Sequence, residues 1–325
     1  MANRDIPRPG RTGRRLLLFP GLDAVLVPAK MQRWLDVPKV VSVMAEVSGV
    51  LSGITGKNED LLAVFRSMRR PHEIDQDRVL IGLIAIQVAI SRLVESQVDI
   101  DIVTGCSHGD MARLVFSDCV GLDEMIRLAW VSGRARLLCE PGLNASARSI
   151  HGRLSEEQLE WMDSFPVSVS HWTHHHATVS GGEDVMRSMM AKAPDHGIKM
   201  HKLLPVAIHS RVMAPAVERS LAYASSISVH PPRHPIFSSV YADFVATPDQ
   251  LRREAADAAS SSIHWMKTIK RLKDEIGVRE VVCIGPSSTL IDWMADDAEY
   301  QCISTVDAWD LYKARTETEA AGEIR

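Results

Sequence analysis

Ile100-Asp101-Ile102-Val103-Thr104-Gly105-Cys106-Ser107-His108-Gly109-Asp110 runs from an apolar stretch into a G-x-S-x-G pentapeptide. Ile100 to Val103 reads as a buried strand that ends at Gly105, and helical spacing resumes near Gly109 with Asp110, Arg113 and Leu114. A strand, a sharp turn and a helix in that order form a unit of a parallel α/β sheet. On such a turn a serine projects its hydroxyl outward, the glycines relieve crowding, and the N–H groups at the helix start face any oxyanion that forms. Ser107 is the candidate nucleophile on that reasoning. The pentapeptide alone occurs by chance, and its bland reading is a tight turn with an inert serine. The strand before it and the helix after it favour the nucleophile.

Working outward, Leu16 to Phe19 is a short apolar strand stopped by Pro20 and Gly21. Arg78 to Glu95 has helical apolar spacing. Between residues 143 and 205 the pattern changes. Ala145 to Ile150 reads as a strand, Ser155 to Met162 as a helix with Ser155 as N-cap and Gln158 three residues on, and Val167 to Trp172 and His176 to Ser180 as strands. Glu183 to Ala193 then reads as a helix and Ile198 to Leu204 as a strand. This β-α-β-β-α-β order predicts a small ferredoxin-like subdomain over 143–205, inserted in a core formed by 16–142 and 206–312. Arg252 to Leu272 is largely helical by pattern, Val281 to Ile284 a strand, and Gly285-Pro286 a turn. Met1 to Arg15, with five arginines against one aspartate, predicts a disordered tail, and the charged stretch Lys313 to Arg325 a frayed one.

A chain of 325 residues with 46% hydrophobic residues can bury a sizeable core, and a net charge of −4 leaves no footprint for nucleic acid. Arg14-Arg15 before Leu16 to Ala29 imitates a signal peptide, but Pro20, Gly21 and Asp23 interrupt it. The longest apolar run, Val79 to Ile90, contains Gln87 and is too short for a bilayer. Five scattered cysteines point to a reducing, cytoplasmic setting without disulfides. No membrane partner is expected, and a monomer is.

A nucleophilic serine needs a base. Among 13 histidines, His209 stands out within Leu204-Pro205-Val206-Ala207-Ile208-His209-Ser210-Arg211-Val212-Met213, after an apolar strand. With Phe19-Pro20-Gly21, Gly105 to Asp110, Val206 to Pro215 and Ile284-Gly285-Pro286 in that order, the chain resembles malonyl-CoA:acyl-carrier-protein transacylases and the acyltransferase domains of polyketide synthases. Their turns read F-P-G, G-H-S-x-G-E, H-S-x-x-M-x-P-A and I/V-G-P-G, and the resemblance spans roughly residues 16–295. It implies an α/β fold: an α/β-hydrolase-like core with a parallel sheet plus the ferredoxin-like insert. It also implies Ser107 as nucleophile, His209 as base oriented by a backbone carbonyl, and the backbone N–H groups of Leu22 and His108 as oxyanion donors. The partner it implies is an acyl carrier protein, with acyl-CoA or acyl-carrier protein as donor. Phosphopantetheine then belongs to the substrates, and no cofactor is expected.

Departures from the family bear on the acyl group. Malonyl transferases carry a carboxylate-binding arginine 25 residues after the serine, where this chain has Ser132. A hydroxyl cannot replace a guanidinium fork. On a helix Arg134 and Arg136 point about 200° and 40° away from that position, so Arg136 is the nearer substitute. Leu22 replaces a glutamine, His264 beside Trp265 another, and a third falls at Leu80. These changes predict an acyl pocket, including Ser132, His264, Leu80 and Cys106, that takes a group without a free carboxylate. Cys106 beside an elbow serine reads as a small buried residue rather than a second nucleophile. His171, His174, His175 and His176 form a dense tract, but no cysteine or carboxylate stands at ligand spacing, so no metal is expected. The expected activity is acyl transfer by a stand-alone enzyme acting in trans, in polyketide or fatty-acid-type synthesis. The alternatives are an acyl-thioester hydrolase with the same serine and histidine, and an inactive carrier-protein-binding scaffold.

Overall fold

The structure, a computed structural model, describes residues 13–25, 27–68, 75–286, 288–296, 300–301 and 303–322. Its strands are β1 (Arg14–Phe19), β2 (Ile102–Gly105), β3 (Gly142–Ser149), β4 (Ser168–Thr173), β5 (His176–Gly182), β6 (Ile198–Leu204), β7 (Ile236–Ser238), β8 (Asp243–Val245), β9 (Val278–Cys283) and β10 (Ser304–Asp307). Its helices are α1 (Pro28–Gln32), α2 (Pro38–Thr55), α3 (Leu61–Ser67), α4 (Gln76–Glu95), α5 (Gly109–Phe116), α6 (Leu122–Ala135), α7 (Glu156–Asp163), α8 (Glu183–Lys192), α9 (Ala214–Ala224), α10 (Pro248–Ser260), α11 (Trp265–Asp274), α12 (Thr289–Asp296) and α13 (Ala308–Gly322).

Leu16 to Phe19 are all fully buried, and they face both ways. Leu17 and Phe19 enter the core shared with α2 and α4, while Leu16 and Leu18 enter a second core with Trp265 and Ile269 of α11. The two-residue period of a strand divides them, and cover on both faces explains why the run is continuously apolar. β1 therefore sits inside a sheet of order β10-β9-β1-β2-β7-β8, parallel except for the β7–β8 pair. The fold is mixed α/β with a mostly parallel sheet, as the sequence predicts.

Residues 142–204 build a separate antiparallel sheet of order β4-β5-β3-β6, with α7 and α8 enclosing a core of their own around Met162, Met186 and Met189. Ser155 caps α7 in a reciprocal capping box with Gln158. Among the described residues no helix is long and apolar enough to cross a membrane.

Three boundaries differ from the sequence reading. The tail expected over 1–15 ends earlier, because Arg14 and Arg15 belong to β1. The Arg14 N–H donates to the Gly277 carbonyl at 2.9 Å, and the Arg15 side chain pairs with Glu280. Residues 1–12 lie outside the described ones. The stretch 313–322, expected to fray, continues α13. Trp309 and Tyr312 pack on Trp34, and Arg33 pairs with Asp307 at 2.8 Å, which docks the helix at its start. Residues 323–325 are again outside the described ones. The long helix expected over 252–272 is two, α10 and α11, broken at 261–264. Serines 260 to 262 are poor helix formers, and the Ile263 N–H donates to Ser170 Oγ at 2.9 Å instead of continuing the helix.

The register fixes the site. Phe19 pairs with Gly105, so β1 and β2 end together, and the Cys106 N–H donates to the Phe19 carbonyl at 2.9 Å. The Ile284 N–H donates to Leu18 at 2.7 Å, bringing the Gly285-Pro286 turn to the same edge. Helix α5 starts so close to this edge that a Cβ on Gly109 would lie 2.0 Å from the Phe19 carbonyl oxygen. Gly109→Ala must push backbone apart. We expect a loss of at least about 1–3 kcal/mol, read as a melting temperature lower by several degrees; an unchanged melting temperature would refute this close approach.

Candidate active site

Ser107 has φ +55°, the left-handed conformation a nucleophile elbow imposes on its serine. The flanking glycines have steric reasons. A Cβ on Gly105 would lie 2.3 Å from Asp110 Oδ1, and Gly109 meets Phe19 as described. Ser107 Oγ lies 2.8 Å from His209 Nε2. His209 also has positive φ, +64°, and is buried.

The break after α10 supplies what holds His209. The last carbonyls of an α-helix have no intrahelical partner. The Ala258 carbonyl accepts from His209 Nδ1 at 2.6 Å, and the Ala259 carbonyl accepts from the His209 backbone N–H at 2.8 Å. With Nδ1–H so engaged, the lone pair on Nε2 points to Ser107. The negative end of the α10 dipole also favours any positive charge that develops on the ring. No carboxylate takes part in this contact. Burial holds the imidazole neutral, its pKa lowered to about 4 although the bond to Ala258 opposes the shift.

His108 follows the same logic. Its Nε2 donates to the Leu80 carbonyl at 2.7 Å, and burial lowers its pKa to about 4. Its backbone N–H and that of Leu22 have no hydrogen-bond partner among the described residues. Two residues that the sequence reading did not single out, the buried Gln87 and the half-buried Asp23, brace the Leu22 turn. Gln87 Nε2 donates to the Pro20 carbonyl at 2.7 Å. Asp23 accepts from the Thr289 N–H at 2.8 Å and from Ser288 Oγ at 3.0 Å, tying the turn to the start of α12. The signal for Gln87 was visible: a lone amide inside an apolar helix.

A cavity of about 350 Å³ opens on Ser107 and His209, within the range of about 300–1,000 Å³ typical of small-ligand sites. Ser132, Leu80, Leu22 and Cys106 all line it. The Cys106 side chain packs into the second core, and burial pushes its thiol up, so it is no thiolate. His264, expected in the pocket, is not among the lining residues. It is exposed at the start of α11, because the break that ends α10 turns the chain toward β4. Two arginines reach the cavity wall, Arg136 and Arg113. Counting from the serine placed Arg136 as the nearer substitute and missed Arg113. Arg136 Nη2 pairs with Asp77 at 3.0 Å and Arg113 Nη2 with Glu254 at 2.8 Å, so each guanidinium already holds a carboxylate. In the histidine tract, His176 is buried in β5, and burial lowers its pKa to about 3. Among the described residues no group of three or more His, Cys, Asp or Glu side chains could hold a metal ion.

This serine turn on a parallel sheet belongs to a recognisable class. Residues 51–306 match the Acyl transferase domain family. The chain belongs to that family. A curated relative, Non-reducing polyketide synthase 1 of Elsinoe fawcettii, is 28% identical over 201 residues, covering 57% of this chain but only 9% of that protein's length. The fold matches the malonyl CoA-acyl carrier protein transacylase of Coxiella burnetii with a TM-score of 0.80 at 18% identity, over 94% of this chain and 97% of that one. It also matches a malonyl-transacylase in complex with a type II polyketide synthase acyl-carrier protein, with a TM-score of 0.78 at 19% identity, over 90% and 95% of the two chains.

The depressed histidines have a measurable consequence. His209 and His108 titrate near 4 when folded and near their ordinary 6.5 when unfolded. Between those values the unfolded chain binds more protons, so each contributes stability that is complete above about 6.5 and lost as the pH falls toward 4. The carboxyls of Asp23 and Asp110, pushed up by desolvation, act in the opposite direction. A comparison with His209→Gln isolates one histidine. The wild type should lose up to about 1.4 kcal/mol per pH unit more than the variant between pH 6.5 and 5; parallel denaturation curves would refute a buried neutral His209.

Proposed function

We propose that the protein carries an acyl group on Ser107 from a thioester donor to the phosphopantetheine thiol of an acyl carrier protein. The observation that carries this reading is the 2.8 Å contact of Ser107 Oγ with a His209 Nε2 whose opposite nitrogen is held by the Ala258 carbonyl. His209 takes the hydroxyl proton as Ser107 attacks the thioester carbonyl. The Leu22 and His108 N–H groups receive the tetrahedral oxyanion, and collapse expels the donor thiolate, which recovers the proton from His209. The second half runs in reverse: His209 deprotonates the incoming thiol, which attacks the acyl-serine and releases the serine hydroxyl. The malonyl-transacylase of like fold bound to a carrier protein supports a carrier protein as acceptor.

The acyl group in this reading lacks a free carboxylate. Ser132 offers no cation, and both arginines at the cavity wall are already paired with carboxylates. A malonyl carboxylate would have to share Arg113 with Glu254 and Asp110, and a buried charge compensated so poorly costs several kcal/mol.

Two tests follow. Intact-mass measurement after incubation with octanoyl-CoA should show one acyl adduct, absent from Ser107→Ala and formed about 10²–10⁴ times more slowly by His209→Ala. An adduct that persists in Ser107→Ala, or near wild-type loading by His209→Ala, would refute the assignment. In competition, acetyl- or octanoyl-CoA should outrun malonyl-CoA at least about tenfold, and Ser132→Arg should narrow that gap. Faster malonyl loading by the wild type would defeat the neutral-acyl reading.

A further inference from the structure

Beside the nucleophile the cavity wall holds charge that acyl transfer does not use. Arg113 of α5 and Glu254 of α10 are each 1% exposed, and Asp110 is 8% exposed; all three line the cavity. Arg113 Nη2 donates to Glu254 Oε2 at 2.8 Å and lies 3.1 Å from Asp110 Oδ1. The cluster is incompletely satisfied. Arg113 Nε and Nη1, Glu254 Oε1 and both Asp110 oxygens are buried without a hydrogen-bond partner. Buried polar groups are costly to leave in that condition, and several converging on one cavity mark a place where a ligand or water completes them. Around them the lining is apolar, with Leu114, Met125, Leu128 and Leu221 on the same cavity.

We infer that Arg113, Glu254 and Asp110 form a binding subsite for a hydroxyl group borne on the acyl chain, and so select which acyl group reaches Ser107. The inference rests on the acyl-serine reading above. A hydroxyl accepts from Arg113 and donates to Glu254 at once. A carboxylate only accepts and would face two other carboxylates. An ammonium only donates and would face the guanidinium. A methylene leaves every group unpaired. Burial also pushes the Asp110 carboxyl up, with Glu254 adding to the rise and Arg113 opposing it, so the cluster leans toward neutrality and toward a neutral partner. Asp110 and Arg113 follow Ser107 by three and six residues, and helical side chains lean back toward the N-terminus. The hydroxyl therefore sits about 5–10 Å from the serine, a few carbons beyond the thioester carbonyl.

The test compares octanoyl-CoA with its 3-, 5- and 7-hydroxy counterparts, reading kcat/KM for acylation of the full-length protein by intact mass. At least one hydroxylated chain should load about tenfold or more faster than octanoyl-CoA. In the double variant Arg113→Leu, Glu254→Leu that ratio should fall toward one, because the variant removes both members of the ion pair together and leaves Asp110, whose carboxyl burial already pushes up, as a neutral acid. Equal loading of all four chains by the wild type would overturn the subsite, leaving the cluster a water-filled structural ion pair and the acyl-serine reading intact. A ratio retained in the double variant would overturn it too. Failure of every thioester to label Ser107 would instead remove the acyl-enzyme reading, and this inference with it. Should the double variant not fold, the wild-type series alone decides.

Discussion

The parallel register that ends β1 and β2 at the same level is the constraint on which the site depends. Phe19 pairs with Gly105, and the next N–H, that of Cys106, is still bound to the Phe19 carbonyl. The chain then has two residues, Ser107 and His108, in which to leave the sheet before α5 begins against Phe19. Ser107 takes the strain as a positive φ. The same alignment brings the Leu22 turn and the Ile284-Gly285-Pro286 turn to the strand ends, where open α/β sheets bind their ligands. Gln87 and Asp23 then brace the Leu22 turn from either side, one from inside α4 and the other through the start of α12.

His209 reaches this edge from another direction, and a helix end holds it. If α10 continued, the N–H groups of Ser262 and Ile263 would occupy the Ala258 and Ala259 carbonyls. The helix stops at Ser260, and those carbonyls hold the imidazole and its own backbone instead. A carboxylate in their place would bring a full charge into a buried site and would have to be desolvated. Two carbonyl dipoles at a helix C-terminus orient the ring and favour any positive charge placed on it, while leaving the histidine neutral.

The cavity combines an apolar lining with charges that are already paired. Arg136 is engaged with Asp77 and Arg113 with Glu254, so guanidinium groups stand at the wall without offering a free cation. This arrangement is a matter of partners rather than composition. An arginine already paired with a protein carboxylate offers less net positive charge to a carboxylate ligand.

The serine turn, the mixed α/β class and the apolar strand Leu16 to Phe19 follow from local pattern, because strand period, turn glycines and helix spacing are properties of adjacent residues. Ser155 and Gln158 likewise announce their capping box four residues at a time. What the sequence could not determine depends on distant partners. The 2.8 Å approach of His209 to Ser107 joins residues 102 positions apart. The break in the helix expected over 252–272 is decided by Ser170, on another sheet, taking the Ile263 N–H. The displacement of His264 from the cavity follows from that same break. Helical angles could bring Arg136 near Ser132, but only the fold showed that Asp77 waits for it, and that Arg113 and Glu254, 141 positions apart, meet at the cavity wall. Local pattern sets which backbone each segment adopts; burial and charge pairing among remote segments decide which side chains remain available for chemistry.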